Sequence, residues 1–430
     1  MDNPDGNQSL TARLWGVVKY VMTPRVWRLI FSLVAIAGII AFLGVVSLVW
    51  YDKGPADAPM GEVVSPEEQY LTSQIISAAI STSISSRAVT MAKGTQEATS
   101  AETAPGFEKS TYRRDVHAKA HGCVAAKFTV DSLPDRYAVG IFAKPLAYDA
   151  VLRFSSGNPL LQPDSAKDVQ GLALKVFGVD GPKLLDAEGP PGRTQDFVMM
   201  NNPVFFIRGL ADYREFNKLL AAKGAAGGKE YFIGFRNPLT WHVRELILGT
   251  MAQRSPPNSV VATRYWSGSA YALGTNLYVK YSLRPDPANK PKLVKLTDQN
   301  RFDSLRVELT EQAKAGGARF DFLIQPQVLG KYMPVEDTTE EWLESDSPFL
   351  KVGTVELVPL ASANTDSINR NCESLSFNPW RALKENRPVG AMNRVRKALY
   401  DAMSRFRRMK NCGDGCVGEP AALVDFTGAK

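Results

Sequence analysis

From Leu29 to Tyr51 the chain carries no charged residue, and an apolar run of that length is enough to cross a bilayer as a helix. A surface helix needs one polar face, and this run has none. Arg13, Lys19, Arg25 and Arg28 stand before it, while Asp52, Lys53 and Asp57 follow. The positive-inside rule makes residues 1–28 a basic cytoplasmic end and residues 29–51 a transmembrane anchor. Everything after Asp52 then lies on the non-cytoplasmic side, periplasmic or extracellular. A cleaved signal peptide is the competing reading. Its apolar core is unusually long, and the one Ala-x-Ala candidate, Ala56-Asp57-Ala58, runs into Pro59, which disfavours cleavage. Trp50 and Tyr51 suit an interfacial belt.

The remainder has the make-up of a folded protein, with 44% apolar and 22% charged residues among 430, enough for an ample core. Residues 52–104 read as a linker and a helix. Ser65 is placed to cap that helix, Pro66 to open it and Glu68 to close a capping box, and the helix extends to about Lys93. The main domain spans 105–410 and a tail covers 411–430. Short apolar-rich segments at Val124–Val130, Val151–Ser155, Leu172–Phe177, Phe197–Met199, Tyr271–Leu283 and Phe320–Gln325 read as strands of an antiparallel sheet or barrel. Helical patterns interrupt them at 210–222, 238–253 and 303–315, and a last helix covers Gly390–Met409. The class is therefore α+β.

Net charge is +7, from 51 basic and 44 acidic residues, and much of the excess sits near the two ends. That placement argues for contact with an acidic membrane surface, while the middle of the chain is mixed in sign and offers no groove for a nucleic acid. Three histidines, His117, His121 and His242, are too few and too scattered for a multi-histidine metal site. The cysteines are Cys123, Cys372, Cys412 and Cys416. None has CxxC spacing or precedes a histidine, which excludes covalent c-type haem attachment. Cys412 and Cys416 suit a small-loop disulfide; four unpaired thiols fit equally well.

Six segments carry chemistry, in a fixed order. Arg114-Asp115-Val116-His117-Ala118-Lys119 resembles the segment of haem catalases that holds the distal histidine. Val151 to Ser156, Asp168 to Lys175, Asp196 to Arg208 and Arg319 to Gln325 are each similar to later segments of that family, and Arg396-Lys397-Ala398-Leu399-Tyr400 is similar to its proximal Arg-x-x-x-Tyr motif. Gln170 stands where the family has arginine. The resemblance implies a catalase-like antiparallel β-barrel with helical insertions and a C-terminal haem-ligating helix, binding haem b through its iron.

Residue by residue, the resemblance makes Tyr400 the iron ligand and Arg396 its partner. The two are four apart on one helix face, and a guanidinium beside a phenol oxygen favours phenolate, a hard anionic ligand for ferric iron. Without the family, Tyr400 also fits an apolar stripe with Val395, Leu399 and Phe406. His117 becomes the catalytic base, taking a proton from bound peroxide and returning it to the outer oxygen. Val116 becomes a cofactor contact, and Ser155 fixes the imidazole tautomer. Arg114, Arg153 and Arg407 match the propionate-binding arginines, and Tyr213 stands near the family's stacking aromatic. His121 and His242 read as structural. Counting without a gap puts Met200 at the distal asparagine position; a one-residue shift supplies Asn201, the residue expected here. The implied activity is decomposition or reduction of hydrogen peroxide or organic hydroperoxides, with peroxide and a small reductant as partners, no nucleic acid, and the oligomeric state left open. Allene oxide synthases resembling catalase rearrange hydroperoxides, but place threonine before the distal histidine where this chain has Val116. A binding-only haem barrel is the third reading.

Overall fold

The structure is a computed structural model that describes residues 24–51, 64–92, 112–185, 193–234, 241–253, 259–295, 297, 300–359, 366–412 and 423. The expected linker, the flanking Asp52, Lys53 and Asp57, most of the C-terminal tail and Cys416 lie outside the described residues. Two compact units divide the chain, Met1–Lys53 and Gly54–Lys430. The first holds helix α1 (Pro24–Tyr51), whose Leu29, Phe31, Leu33, Ile36, Ile40 and Phe42 are exposed. It is long and apolar enough to cross a membrane.

In the second unit α2 (Pro66–Ala92) starts where its capping residues stand, with the Glu68 amide donating to Ser65 Oγ at 3.1 Å. Nine strands follow among the described residues: β1 (Lys119–Val130), β2 (Ala147–Ser156), β3 (Gln170–Phe177), β4 (Thr194–Met200), β5 (Tyr265–Trp266), β6 (Tyr271–Ala272), β7 (Tyr278–Pro285), β8 (Arg319–Pro326) and β9 (Leu350–Leu357). Their order is β5-β4-β3-β2-β1-β9-β8-β7-β6, and β5 also pairs with β7. That pairing closes eight strands into an antiparallel barrel and leaves β6 outside the ring. The expected run Tyr271–Leu283 is thus split between β6 and β7 by a turn. β9 was not read from the sequence. Gly353 interrupts its alternation, because a Cβ there would stand 2.5 Å from the Thr129 carbonyl oxygen.

The barrel interior is filled by alternate residues of each strand. Val124, Ala126 and Phe128 of β1 meet Leu152 and Phe154 of β2, Leu172 and Leu174 of β3, and Phe320, Phe322 and Ile324 of β8. Aromatic rings interlock at its centre, Phe197 lying 4.9 Å from Phe322 and 5.2 Å from Tyr281. Full burial of each such ring is worth about 2–3 kcal/mol. The opposite parity of β2, β3 and β4 faces outward: Arg153 and Ser155, Gly171 and Ala173, and Val198.

Helices cover that outer wall. Between β4 and β5 lie α3 (Leu210–Lys223), α4 (Ala225–Ile233) and α5 (Val243–Ala252). After them come α6 (Ser304–Lys314), α7 (Asp366–Ser374) and α8 (Ala391–Cys412). α7 packs through Ile368 and Cys372 on Cys123, Val151 and Phe177 of the barrel, and Cys123 and Cys372 form a disulfide. α8 packs through Met392, Val395, Leu399 and Met403 against Ile75 and Ala79 of α2 and Leu210 of α3. A buried ion pair, Lys175 Nζ to Asp196 Oδ1 at 2.7 Å, is joined by Arg381 at 3.2 Å. Asp196 also accepts the Asn378 amide at 2.9 Å, which fixes the chain between α7 and α8 to the barrel.

Candidate functional site: a pocket between barrel wall and C-terminal helix

The outward residues of β2–β4 and one face of α8 enclose a cavity that opens to solvent. The barrel side is built from His117, Arg153, Ser155, Gly171, Ala173 and Val198. The helix side is built from Tyr400, Met403, Ser404 and Arg407. Arg114, Asp115, Val116 and the 376–377 turn complete the rim.

His117 is held by its backbone as much as by its ring. Its φ is 55°, a left-handed conformation that costs a non-glycine residue on the order of 1 kcal/mol. Its amide donates to the Gly157 carbonyl at 3.0 Å, and its carbonyl accepts from Arg153 Nη2 at 3.0 Å. The ring lies over the Ser155–Gly171 pair, which stands in register across β2 and β3. Nδ1 is 3.1 Å from Ser155 Oγ, and a Cβ at position 171 would stand 2.4 Å from Nδ1 and Cε1. Glycine is the one residue that admits the ring. Burial lowers the His117 pKa to about 3, and the Arg153, Arg114 and Arg396 charges act in the same direction. The imidazole is therefore neutral.

On α8, Tyr400, Met403, Ser404 and Arg407 recur at helical spacing and so share the cavity face. Arg396, one turn before Tyr400, donates from Nε to the Tyr400 oxygen at 3.3 Å. Its Nη1 donates to Asn393 Oδ1 at 3.1 Å and Ser269 Oγ at 3.3 Å. Burial alone would lower the Arg396 pKa, but the oxygens of Tyr400 and Tyr271 outweigh it and the pKa is raised.

Arg114, Arg153 and Arg407 converge at one corner, as the sequence implied, and meet a residue it did not single out. Glu373, in the last turn of α7, takes Arg114 at 2.6 Å and Arg153 at 3.2 Å, with Arg407 at 3.9 Å. Asp115, which does line the cavity, is a second carboxyl not read as functional, its pKa pushed up to about 6 by burial.

Of the sequence-expected site residues, Arg114, Val116, His117, Arg153, Ser155, Tyr400 and Arg407 line one cavity. Arg396 stands behind Tyr400. Tyr213 lies deeper, edge-on to Phe205 at 5.7 Å and packed in the α2–α3–α8 cluster with Tyr400. Asn201 is turned away from the cavity, where its Oδ1 accepts the Gln170 amide at 2.9 Å. Met200 Sδ faces Gly268, and β4 contributes Val198 and Met199 to the wall instead. His121 is fully buried between Gln170 and Ser156 at 3.0 and 3.1 Å, and His242 stacks on Tyr231 at 4.2 Å. The contribution of Gly171 was open to discovery from its place beside the quoted Gln170. Glu373 had no signal, lying between motifs in a short helix.

The Catalase family model matches residues 83–407. A fungal catalase crystal structure aligns with TM-score 0.51 and 19% identity over 70% of this chain and 59% of that one. Catalase A from Saccharomyces cerevisiae aligns with TM-score 0.50 and 19% identity, over 70% of this chain and 61% of that one. This chain thus spans about three-fifths of the length of each, and at such identity the likeness speaks to the fold. No curated protein matches the chain. Barrel, covering helices and pocket define the catalase-like class of β-barrel protein. With the family model spanning most of its residues, the chain belongs to the catalase family.

Proposed function

We propose that the cavity binds a haem b and that the protein decomposes or reduces peroxides with it. The observation that carries this reading is that His117 and Tyr400, brought from the first strand region and the last helix, open into the same cavity beside three arginines. The residues present fit the group: a phenol oxygen paired with Arg396 for the iron, guanidiniums for the two propionates, and apolar Val116, Ala173 and Val198 for the porphyrin face. When bound, ferric haem supplies the two-electron redox chemistry that peroxide cleavage needs.

The chain's own groups then divide the remaining work. Tyr400, held by Arg396, serves as the anionic ligand. His117, kept neutral by burial and by its arginine neighbours, accepts the peroxide proton and delivers it to the departing oxygen. Ser155 keeps Nδ1 engaged, so the opposite ring nitrogen is the one that serves as base. The β4 wall offers Val198 and Met199 where a hydrogen-bond donor would orient a second peroxide. That wall favours peroxidation with a small reductant over rapid dismutation.

The apolar α1 serves as a membrane anchor in this reading. The Cys123–Cys372 disulfide supports placing the catalytic domain on the non-cytoplasmic side, since disulfides persist in oxidising compartments.

The absorption spectrum of the purified full chain, with and without peroxide, tests the reading. A Soret band that responds to peroxide is expected. Tyr400→Phe should loosen the haem; an unchanged spectrum in that variant excludes Tyr400 as ligand. His117→Ala should keep the haem and lose turnover. Oxygen evolution compared with oxidation of a chromogenic reductant divides catalase from peroxidase activity.

A further inference from the structure

We propose that Glu373 is an internal competitor for the arginine seat, a carboxylate of the chain that keeps Arg114, Arg153 and Arg407 paired until an anionic ligand group joins or replaces it. The inference rests on the haem reading only for the identity of that ligand. Its structural basis is the end of α7. Glu373 Oε2 takes Arg114 Nη1 at 2.6 Å and Oε1 takes Arg153 Nη2 at 3.2 Å. The Leu375 carbonyl accepts from both Arg114 Nη2 and Arg407 Nη2 at 2.9 Å, and the Glu373 carbonyl accepts from Arg407 Nη1. These carbonyls belong to the C-terminal end of a helix, where the backbone dipole attracts cations. One turn of chain therefore offers the three guanidiniums a full negative charge and a partial one.

The electrostatics require such a partner. Arg153 and Arg407 are almost wholly buried, at 3% and 6% side-chain exposure, and three cations in one corner repel. Burial first, then Arg114, depresses Arg153 to about 10 and Arg407 to about 9. Burial would raise the Glu373 carboxyl, but Arg114, Arg153 and Arg407 outweigh it and draw it down to about 2. Glu373 is thus ionised across the working pH range and offsets one of the three positive charges; Asp115, which also feels Arg114 and Arg407, offsets a second above about pH 6. The position of Glu373 is set by the barrel rather than by a ligand. Cys372, the preceding residue, is disulfide-bonded to Cys123 of β1, and the Cys123 amide donates to Asn369 Oδ1 at 3.1 Å.

A competitor has a signature that a mere structural support lacks. Removing its charge should destabilise the ligand-free protein and increase what an anionic ligand gives back, because the ligand then replaces a missing counter-charge. The full chain in detergent, as wild type, Glu373→Gln and Glu373→Asp, is to be compared by thermal unfolding alone, with inorganic pyrophosphate, with haem, and with haem whose propionates are methyl esters. Glu373→Gln alone should melt lower than wild type and gain more from pyrophosphate; Glu373→Asp, which keeps the charge, should recover most of the loss. Relative to the ester, haem should leave Glu373→Gln about tenfold more slowly than it leaves wild type, the worth of one charge-assisted hydrogen bond. Equal gains in all three proteins, or a gain shared by haem and its ester, would overturn the proposal. Failure of wild type to take up either haem or ester would instead refute the haem reading, and the pyrophosphate arm would then decide the role of Glu373 by itself. Should Glu373→Gln fail to fold by itself, its folding in the presence of pyrophosphate decides the matter: recovery of folded protein supports the role of Glu373 as counter-charge, and no recovery counts against it.

Discussion

At position 171 a single missing methyl group admits the His117 imidazole. The ring of His117 occupies the space that a Cβ would take, at 2.4 Å, while Ser155 across the strand pair holds Nδ1. Gly171→Ala should therefore leave the barrel folded and displace the ring, lowering turnover about 10²-fold, the cost of misplacing a reacting group by about 1 Å. Near-normal turnover with unchanged haem content would show that the ring is not seated there. Asp115 gives a prediction in pH. Burial pushes its carboxyl from 3.8 to about 6 against the pull of the Val116 amide and Arg114. The folded protein keeps a proton that the unfolded chain gives up, so the contribution of Asp115 to stability is full below about pH 4 and lost as pH rises through about 6. Asp115→Asn should stabilise the ligand-free protein near pH 8 by about 1–2 kcal/mol after solvent screening, seen as a higher melting point, and leave it unchanged near pH 4. A constant difference at both pH values would show that Asp115 does not titrate in that window.

Among elements, α7 stands out because it joins distant parts of the chain. Its Cys372 reaches Cys123 across a sequence separation of 249, and its last turn holds the three arginines. Constraining so long a loop stabilises the fold by about 2–4 kcal/mol. Cys123→Ser with Cys372→Ser should lower the denaturant midpoint accordingly, and a reductant should do the same to wild type but nothing to the double variant. Equal midpoints for wild type and variant would show that the bond adds nothing. Helix α8 was legible from its Arg396-to-Tyr400 spacing and its apolar stripe, and its cavity face follows from geometry once one residue is placed. α7 was not legible: nine residues are too few for periodicity to identify a helix.

At the scale of the whole molecule, the apolar α1 predicts that the full chain sediments with membranes and resists alkaline carbonate; release by carbonate would exclude an integral anchor. Six ordered motifs, the uncharged run and the capping signals at Ser65 were enough to determine the class, most strands, the long helices and seven of the residues that line the cavity. Those readings depend on local pattern, which a chain carries in its neighbours. The partners that decide the chemistry of the pocket are not neighbours. Both faces of β2 and β3 are buried, so alternation could not say which parity forms the core and which the pocket wall. Asn201 looked poised for the pocket until strand register turned its side chain to the Gln170 amide. Glu373 meets Arg114 across 259 positions, and Cys123 meets Cys372 across 249. Such pairings depend on how the barrel closes and where the covering helices land, and only the folded chain brings those charges within reach of one another.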